Sequence, residues 1–441
     1  MISAVFNFPK GFLWGTATAA YQVEGNNQNT NWFQWEQQGH IINNQKCGMA
    51  CDWGSGRWRE DFDRAAETSQ NTHRFSIEWS RIQPTPDVWD ENAIEIYREM
   101  ARGLRKRGMI PMVTLHHFTD PLWLVEMGGW ENPDVINKFT IFTEKVVEAL
   151  KEYVDLWVTI NEPNVYTAMG YLMGIFPPGV KDPFRAYKVI INMVSAHAAA
   201  YETIHNVQSK ASVGMAINYR SFVPARKWMP LDKWIANFQS RNYNNMFADP
   251  PLNGYLKYLM LSKKVSKAKG TQDYLGINYY SRDLVKFSPF NFGGFFANRS
   301  SNPDAELSEN EFIANEPLGF FESFKWALKY HIPIYVTENG IEDAQDKLRP
   351  RYIIEHIHQM WKAVNFSWPI KGYYHWTLVD NFEWERGWTQ RFGLWALEPK
   401  TQIRRKRPSA DLYASICKSN ALSSEAVDKF APEIFGQIFP K

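Results

Sequence analysis

The chain is poor in cysteine, with only Cys47, Cys51 and Cys417 in 441 residues. So sparse and odd a set excludes a disulfide framework. Cys47 and Cys51 lie four positions apart in a loop-like stretch with no second pair nearby. Partly buried thiols are therefore expected there rather than a metal site. No charge sign dominates: 49 basic and 47 acidic residues give a formal net charge of +2. That balance exerts no global pull toward nucleic acid or an anionic membrane. The one basic run, Arg404-Arg405-Lys406-Arg407, reads as a solvated loop near a C-terminal helix. No window of about eighteen apolar residues exists, so no membrane-spanning helix and no stable membrane insertion are expected. Met1–Lys10 lacks a charged segment followed by an apolar one, the mark of a secretory signal, so a cytoplasmic location is expected. Internal repeats, low-complexity segments and linkers are also missing, and one domain over residues 1–441 is expected. Homo-oligomerisation is left open.

What is present is ample apolar and aromatic material. Hydrophobic residues make up 44% of the chain and aromatic ones 15%, enough for a large core. Nineteen tryptophans exceed what packing alone asks for. Sugar rings lay apolar C–H faces on aromatic rings while their hydroxyls need polar partners, so the composition leans toward a carbohydrate site. Eight short apolar runs read as strands: Phe12–Thr16, His73–Ile77, Ile110–Leu115, Leu156–Ile160, Ser212–Ile217, Tyr274–Asn278, Ile334–Thr337 and Gly372–Trp376. Between them lie stretches of helical periodicity: Ala93–Arg107, Asn137–Tyr153, Phe184–Gln208, Glu322–Tyr330 and Tyr352–Asn365. Strand and helix in alternation imply a parallel sheet with helical crossovers, and eight such units imply closure into an α/β (β/α)8 TIM barrel. An open doubly wound sheet is disfavoured, because no Gly-rich phosphate loop follows the first strand. Residues Phe287–Pro317, rich in Asn, Phe, Gly and Ser, read as a long loop at the pocket edge.

The strand ends carry the chemistry. Arg74 lies in the second run, His116-His117 follows the third, and Asn278-Tyr279-Tyr280 closes the sixth. Trp376 ends the eighth. Two phrases stand out: Thr159-Ile160-Asn161-Glu162-Pro163 and Tyr335-Val336-Thr337-Glu338-Asn339-Gly340. Each sets a glutamate at the end of an apolar run and then turns the chain, on Pro163 or on Asn339-Gly340. Carboxylates at the C-terminal rim of a barrel sit where such folds place their reactions, and a facing pair is the equipment for cleaving a glycosidic bond. Glu78 and Glu385 are set aside, the first as a carboxylate within a tight strand and a candidate for pairing with an arginine, the second as a rim residue and a candidate for touching substrate.

With these phrases in place the sequence resembles glycoside hydrolase family 1, the retaining β-glycosidases. Similar to the family's motifs are Phe8-Pro9-Lys10-Gly11-Phe12-Leu13-Trp14-Gly15 running on to Gly25, and Arg74-Phe75-Ser76-Ile77-Glu78-Trp79. So are the two glutamate phrases, Asp380-Asn381-Phe382-Glu383-Trp384 and Arg391-Phe392-Gly393-Leu394. They occur in family order across Phe8–Tyr413. The resemblance implies that Glu338 is the nucleophile and Glu162 the acid/base. It implies that Arg74 and Tyr280 hold Glu338 ionised and that Asn161 contacts the 2-hydroxyl. Gln22, His117, Asn278, Trp376, Glu383, Trp384 and Phe392 are then the substrate-binding set, with Trp376 as a floor and Glu383 accepting from the 4- and 6-hydroxyls. The implied partner is a small β-linked saccharide or an aryl or alkyl glycoside, with no metal, no cofactor and no nucleic acid.

Two details sharpen the expectation. Relatives acting on 6-phosphorylated sugars carry serine where this chain has Glu383, so a neutral glycone is implied. Relatives acting on thioglucosides replace the acid/base glutamate by glutamine, so the intact Glu162 implies O-glycosides. Asn31-Trp32-Phe33-Gln34-Trp35-Glu36 is closer to the archaeal-type branch, and Ser221–Lys269 is short for the family. That branch includes enzymes that transfer sugars to alcohol or lipid acceptors, so a transglycosidase using the same intermediate is the alternative.

Overall fold

A computed structural model describes residues 4–440. Eight parallel strands close a barrel: β1 (Leu13–Ala17), β2 (Thr72–Ser76), β3 (Ile110–His116), β4 (Leu156–Asn161), β5 (Ser212–Pro224), β6 (Tyr274–Phe287), β7 (Ile334–Asn339) and β8 (Ile370–His375). Each pairs with its sequence neighbour, β8 returns to β1, and β5 pairs with β6 to complete the ring. Five of the strands lie almost wholly out of solvent, as strands covered on both faces must.

The crossover helices follow from periodicity and caps. Helix Glu91–Lys106 buries Ile94, Tyr97, Met100, Ala101 and Leu104 on one face, and Asp90 accepts from the Asn92 and Ala93 amides at its start. The expected stretches Asn137–Tyr153, Phe184–Gln208 and Tyr352–Asn365 form helices Val135–Leu150, Pro183–Val207 and Arg349–Asn365. Glu322–Tyr330 belongs to a helix that starts earlier, Pro317–Ala327, on a proline at its first turn.

Three expectations need correction. The fifth and sixth runs are far longer than the apolar signal suggested. Past the rim β5 and β6 stay paired from Ser221↔Arg282 to Pro224↔Val285, as a ribbon that alternates between buried and less buried positions. The Phe287–Pro317 segment is not all loop, since Ala297–Ser300 forms an antiparallel strand against β6. This raised ribbon and helix Pro230–Tyr243 enclose a small second core of Phe222, Ile235, Ala236, Val285 and Ala297. Finally, the basic run is a paired strand, Ile403–Lys406, followed by Arg407. Arg404 meets the buried Asp61 at 3.0 Å, Lys406 meets Glu67 and Asp411, and Arg407 meets Asp380 at 2.8 Å. Its charge is largely spent within the molecule. Among the described residues no helix is long and apolar enough to cross a membrane.

Candidate active site

The rim at the strand C-termini holds a cavity of about 650 Å³ lined by Glu162, Glu338, His117, Tyr280, Trp376 and Glu383 among others. The two glutamates arrive from β4 and β7 and meet through a chain of hydrogen bonds. Arg74 on β2 donates from Nη1 to Glu338 Oε1 at 2.9 Å and from Nη2 to Asn161 Oδ1 at 2.6 Å. Asn278 Nδ2 on β6 donates to the same Asn161 oxygen at 3.1 Å and to Glu162 Oε1 at 2.9 Å. Thr114 accepts from Arg74 Nε and the Thr337 carbonyl from Nη1, so all three guanidinium nitrogens are engaged. Tyr280 donates its hydroxyl to Glu338 Oε2 at 2.7 Å.

The backbone at both glutamates is specialised. Glu162 sits at φ 47°, ψ 51°, a left-handed conformation that non-glycine residues rarely adopt. It is held there by the bond from its amide to the Ala216 carbonyl and by Pro163, which starts helix Pro163–Thr167. Two residues beyond Glu338, Gly340 passes so near Trp376 that a Cβ would lie 2.0 Å from its carbonyl oxygen. A glycine is thus required where the chain leaves β7 against the Trp376 backbone.

The two carboxyls have opposite surroundings. Glu162 is pushed up to about 8, first by burial and then by the charge of Glu338, against donors from Asn218 and Asn278. No cation lies within salt-bridge reach of it among the described residues. Burial also raises Glu338, but Arg74 and the Tyr280 hydroxyl pull the other way by favouring the anion. Glu338 is therefore the member of the pair equipped to carry charge, and Glu162 the one equipped to carry a proton. Both donors to Glu162 reach the same oxygen, Oε1, which leaves Oε2 for the proton.

The opposite end of the cavity is polar on an aromatic frame. Trp376 Nε1 donates to Glu383 Oε1 at 3.0 Å, and Gln22 Nε2 reaches Glu383 Oε2 at 3.3 Å. Burial pushes Glu383 up to about 8, with the nearby Glu338 charge adding to it. Asn161 donates to His117 Nε2 at 3.0 Å, and His117 is held neutral by burial and by the Arg74 charge. Its Nδ1 and the Gln22 Oε1 are buried without a protein partner. A neutral donor and an acceptor left unused in a cavity end are what a sugar hydroxyl needs on its two sides. Trp384, at φ 49°, packs between Tyr21, Trp32 and Phe118 and faces the cavity, as does Phe392 beside Tyr280.

One expected binding residue has another task. Asn278 is fully buried, its Nδ2 is shared by Asn161 and Glu162, and its Oδ1 accepts from Thr337 at 2.6 Å. Its polar atoms are spent on joining the carboxylates rather than on meeting substrate. Asn218 was missed: it donates to Glu162 Oε1 at 2.8 Å and is oriented by the Tyr243 hydroxyl at 3.0 Å. The available signal was its place directly after the apolar run ending at Ile217. Glu78 is in no salt bridge among the described residues. It precedes helix Trp79–Ile82 and accepts from the Ser80 and Thr119 hydroxyls, while Arg81 pairs with Glu24. Glu385 does line the cavity, near Arg386. Among the described residues no group of three His, Cys, Asp or Glu side chains is placed to hold a metal ion.

A parallel eight-stranded barrel with one carboxyl bound by an arginine and a tyrosine and a second bound by neutral amides, both at a rim cavity, is the arrangement of a glycoside hydrolase. Comparison with known proteins gives the rest. The model of glycosyl hydrolase family 1 matches residues 5–422, and the chain belongs to that family. It is 31% identical to β-glucosidase A of Thermotoga maritima over 95% of this chain and 99% of that one. It is 29% identical to the human cytosolic β-glucosidase over 95% and 99%. The β-glycosidase of Pyrococcus horikoshii superposes with a TM-score of 0.90 at 34% identity, covering 97% of this chain and 98% of that one. The chain is a β-glycosidase of the β-glucosidase type.

Proposed function

We propose that the enzyme hydrolyses unphosphorylated β-D-glucosides, and galactosides and fucosides with them, through a covalent glycosyl-enzyme and with net retention of configuration. The observation that carries this is the unequal pair: Glu338 bound by Arg74 and Tyr280, Glu162 bound by neutral amides alone. In the first step Glu338 attacks the anomeric carbon while Glu162 gives its proton to the departing oxygen. Ester formation removes the Glu338 charge, and with it the repulsion that kept Glu162 protonated. Glu162 then ionises and takes a proton from the water that attacks the ester, restoring free Glu338. Asn161, fixed by Arg74 and Asn278, is the group assigned to the 2-hydroxyl. Gln22, His117 and Glu383 are assigned to the remaining hydroxyls, over Trp376 and beside Trp384. Exclusion of a 6-phosphate rests on Glu383, whose carboxyl is bound by Trp376 and Gln22 and is in no salt bridge among the described residues. All these groups come from one barrel, and we take the chain to act as one catalytic domain.

A panel of aryl β-glycosides on the native enzyme and on Glu338→Ala tests the reading. The variant is expected to lose on the order of 10⁴-fold or more in kcat. Azide or formate should restore part of the rate by entering the space of the missing carboxylate, giving a product of inverted configuration. Native-like rates in Glu338→Ala would overturn the assignment.

A further inference from the structure

The molecule is nearly neutral overall, yet its charge is segregated. Residues 226–270 hold nine lysines and arginines against two aspartates, leaving the rest of the chain net acidic. Both aspartates are already paired, Asp232 with Arg226 and Asp249 with Lys329. Lys227, Lys233, Arg241, Lys257, Lys263 and Lys264 are exposed and in no salt bridge among the described residues. Among these cations stand large apolar side chains facing water. Trp228 is 73% exposed, Trp234 54%, Met260 90%, Phe290 87% and Phe292 70%. Single exposed apolar residues are ordinary, but a set interleaved with lysines is not.

These residues lie on three adjoining segments: helix Pro230–Tyr243 with the turn before it, the hairpin Tyr255–Tyr258/Leu261–Lys264, and the bend between β6 and Ala297–Ser300. Asn242 accepts from the Leu259 amide at 2.5 Å, and Gln239 donates to the Gly294 carbonyl at 3.0 Å, so the three are locked side by side. Each also lines the catalytic cavity, through Phe238, Leu259 and Phe295. Met169, Leu172, Met173 and Phe176 add apolar lining to the cavity that holds Glu162.

We propose that this rim is a docking surface for an anionic phospholipid bilayer, which brings to the cavity β-glycosides whose apolar aglycone is anchored in the membrane. The second half rests on the glycosidase reading above; the first does not. Indole and phenyl rings prefer the bilayer interface, lysine stems lie along apolar surface while their heads reach phosphates, and neither element spans the membrane. Charge complementarity selects the partner, since free cations gathered around exposed apolar rings match anionic headgroups over acyl chains.

Cosedimentation with phosphatidylcholine vesicles, with and without phosphatidylglycerol, tests the surface. The native enzyme is expected to bind the anionic vesicles at least about tenfold better than the neutral ones, with binding weakened by salt. Trp228→Ser/Phe290→Ser/Phe292→Ser should lower that binding about tenfold or more while hydrolysis of a soluble aryl glucoside is unchanged. Lys263→Gln/Lys264→Gln, which leaves the apolar residues alone, should lower it on the order of tenfold. An enzyme that stays in the supernatant with both vesicles overturns the proposal. So does a dimer that the triple variant splits without altering vesicle binding. Failure of the glycosidase reading would show separately, as absent aryl glucoside turnover beside intact vesicle binding.

Discussion

Glu162 is where sequence, burial and reactivity meet in one side chain. Its carboxyl titrates near 8 instead of in the ordinary range, chiefly because burial disfavours the charge. The basic limb of kcat/KM is therefore expected near pH 8, as the acid that must protonate the leaving group is lost. The same shift has a stability consequence. A folded-state value above the unfolded one means the native state holds a proton that the unfolded chain has released between about 4.5 and 8. Stability from this site is complete below that window and gone above it. Glu162→Gln, which cannot ionise, is expected to gain in melting temperature over the native enzyme by a few degrees (~2–4 °C) at pH 9 and to gain little at pH 4. Its kcat/KM for glycosides with poor leaving groups should fall about 10²–10⁴-fold, and much less for nitrophenyl leaving groups that depart unprotonated, although kcat falls for both because the base for the second step is gone. A melting curve that responds to pH equally in both proteins would count against the shifted carboxyl. At this scale the sequence was legible for groups carried in the motifs: Glu162, Glu338, Arg74, Tyr280 and Glu383 all face one cavity or touch what does. It was not legible for Asn278 and Asn218. A residue list shows an amide at a strand end but not whether its hydrogens are already spent on a neighbour.

Among elements, the segment after β8 is the least regular part of the site and the most dependent on outside anchors. Glu383 and Trp384 lie on it, within short irregular turns. Asp380 secures it: its carboxylate accepts from both Arg407 terminal nitrogens, at 2.8 and 3.0 Å, and from the Gly393 amide at 2.8 Å. All these groups are buried, so removing one member strands an unpaired charge. Asp380→Ala is expected to cost about 3–5 kcal/mol in chemical denaturation and to raise KM, by loosening Glu383, while the pH limbs stay in place. Loss of stability without any change in KM would show that the segment is held by other means. The Arg404–Arg407 run explains why this anchor was hidden. Basic residues in sequence suggest a solvated loop, and only the fold reveals that Asp61, Glu67 and Asp380 await them. The strands β5 and β6 were underread for a related reason. Beyond the rim their pattern changes from continuous apolar to alternating, and a search for buried runs stops at that change.

For the molecule as a whole, barrel closure was readable from eight spaced apolar runs, because each crossover unit declares itself locally. The raised ribbon was not, since it depends on pairing between strands about 60 residues apart with no local mark. The consequence is two hydrophobic clusters of very different size, one filling and wrapping the barrel, the other confined to Phe222, Ile235, Ala236, Val285 and Ala297. Ile357→Ala in the large cluster is expected to destabilise the protein by about 2–5 kcal/mol. Ile235→Ala removes as much side chain but from the small one. It should leave the main thermal transition nearly in place, quicken proteolysis within residues 226–300, and shift the relative kcat/KM among glycosides with different leaving groups. Equal lowering of the main transition by both would mean that the clusters unfold as one unit.

Because the reacting carboxylates are seated on the large cluster while Phe238 and Ala297 of the cavity wall belong to or pack on the small one, part of that wall rests on a core of its own. Substitutions can reshape what leaves the sugar without disturbing how it is cut, and a lineage can explore new leaving groups while its reaction centre stands still.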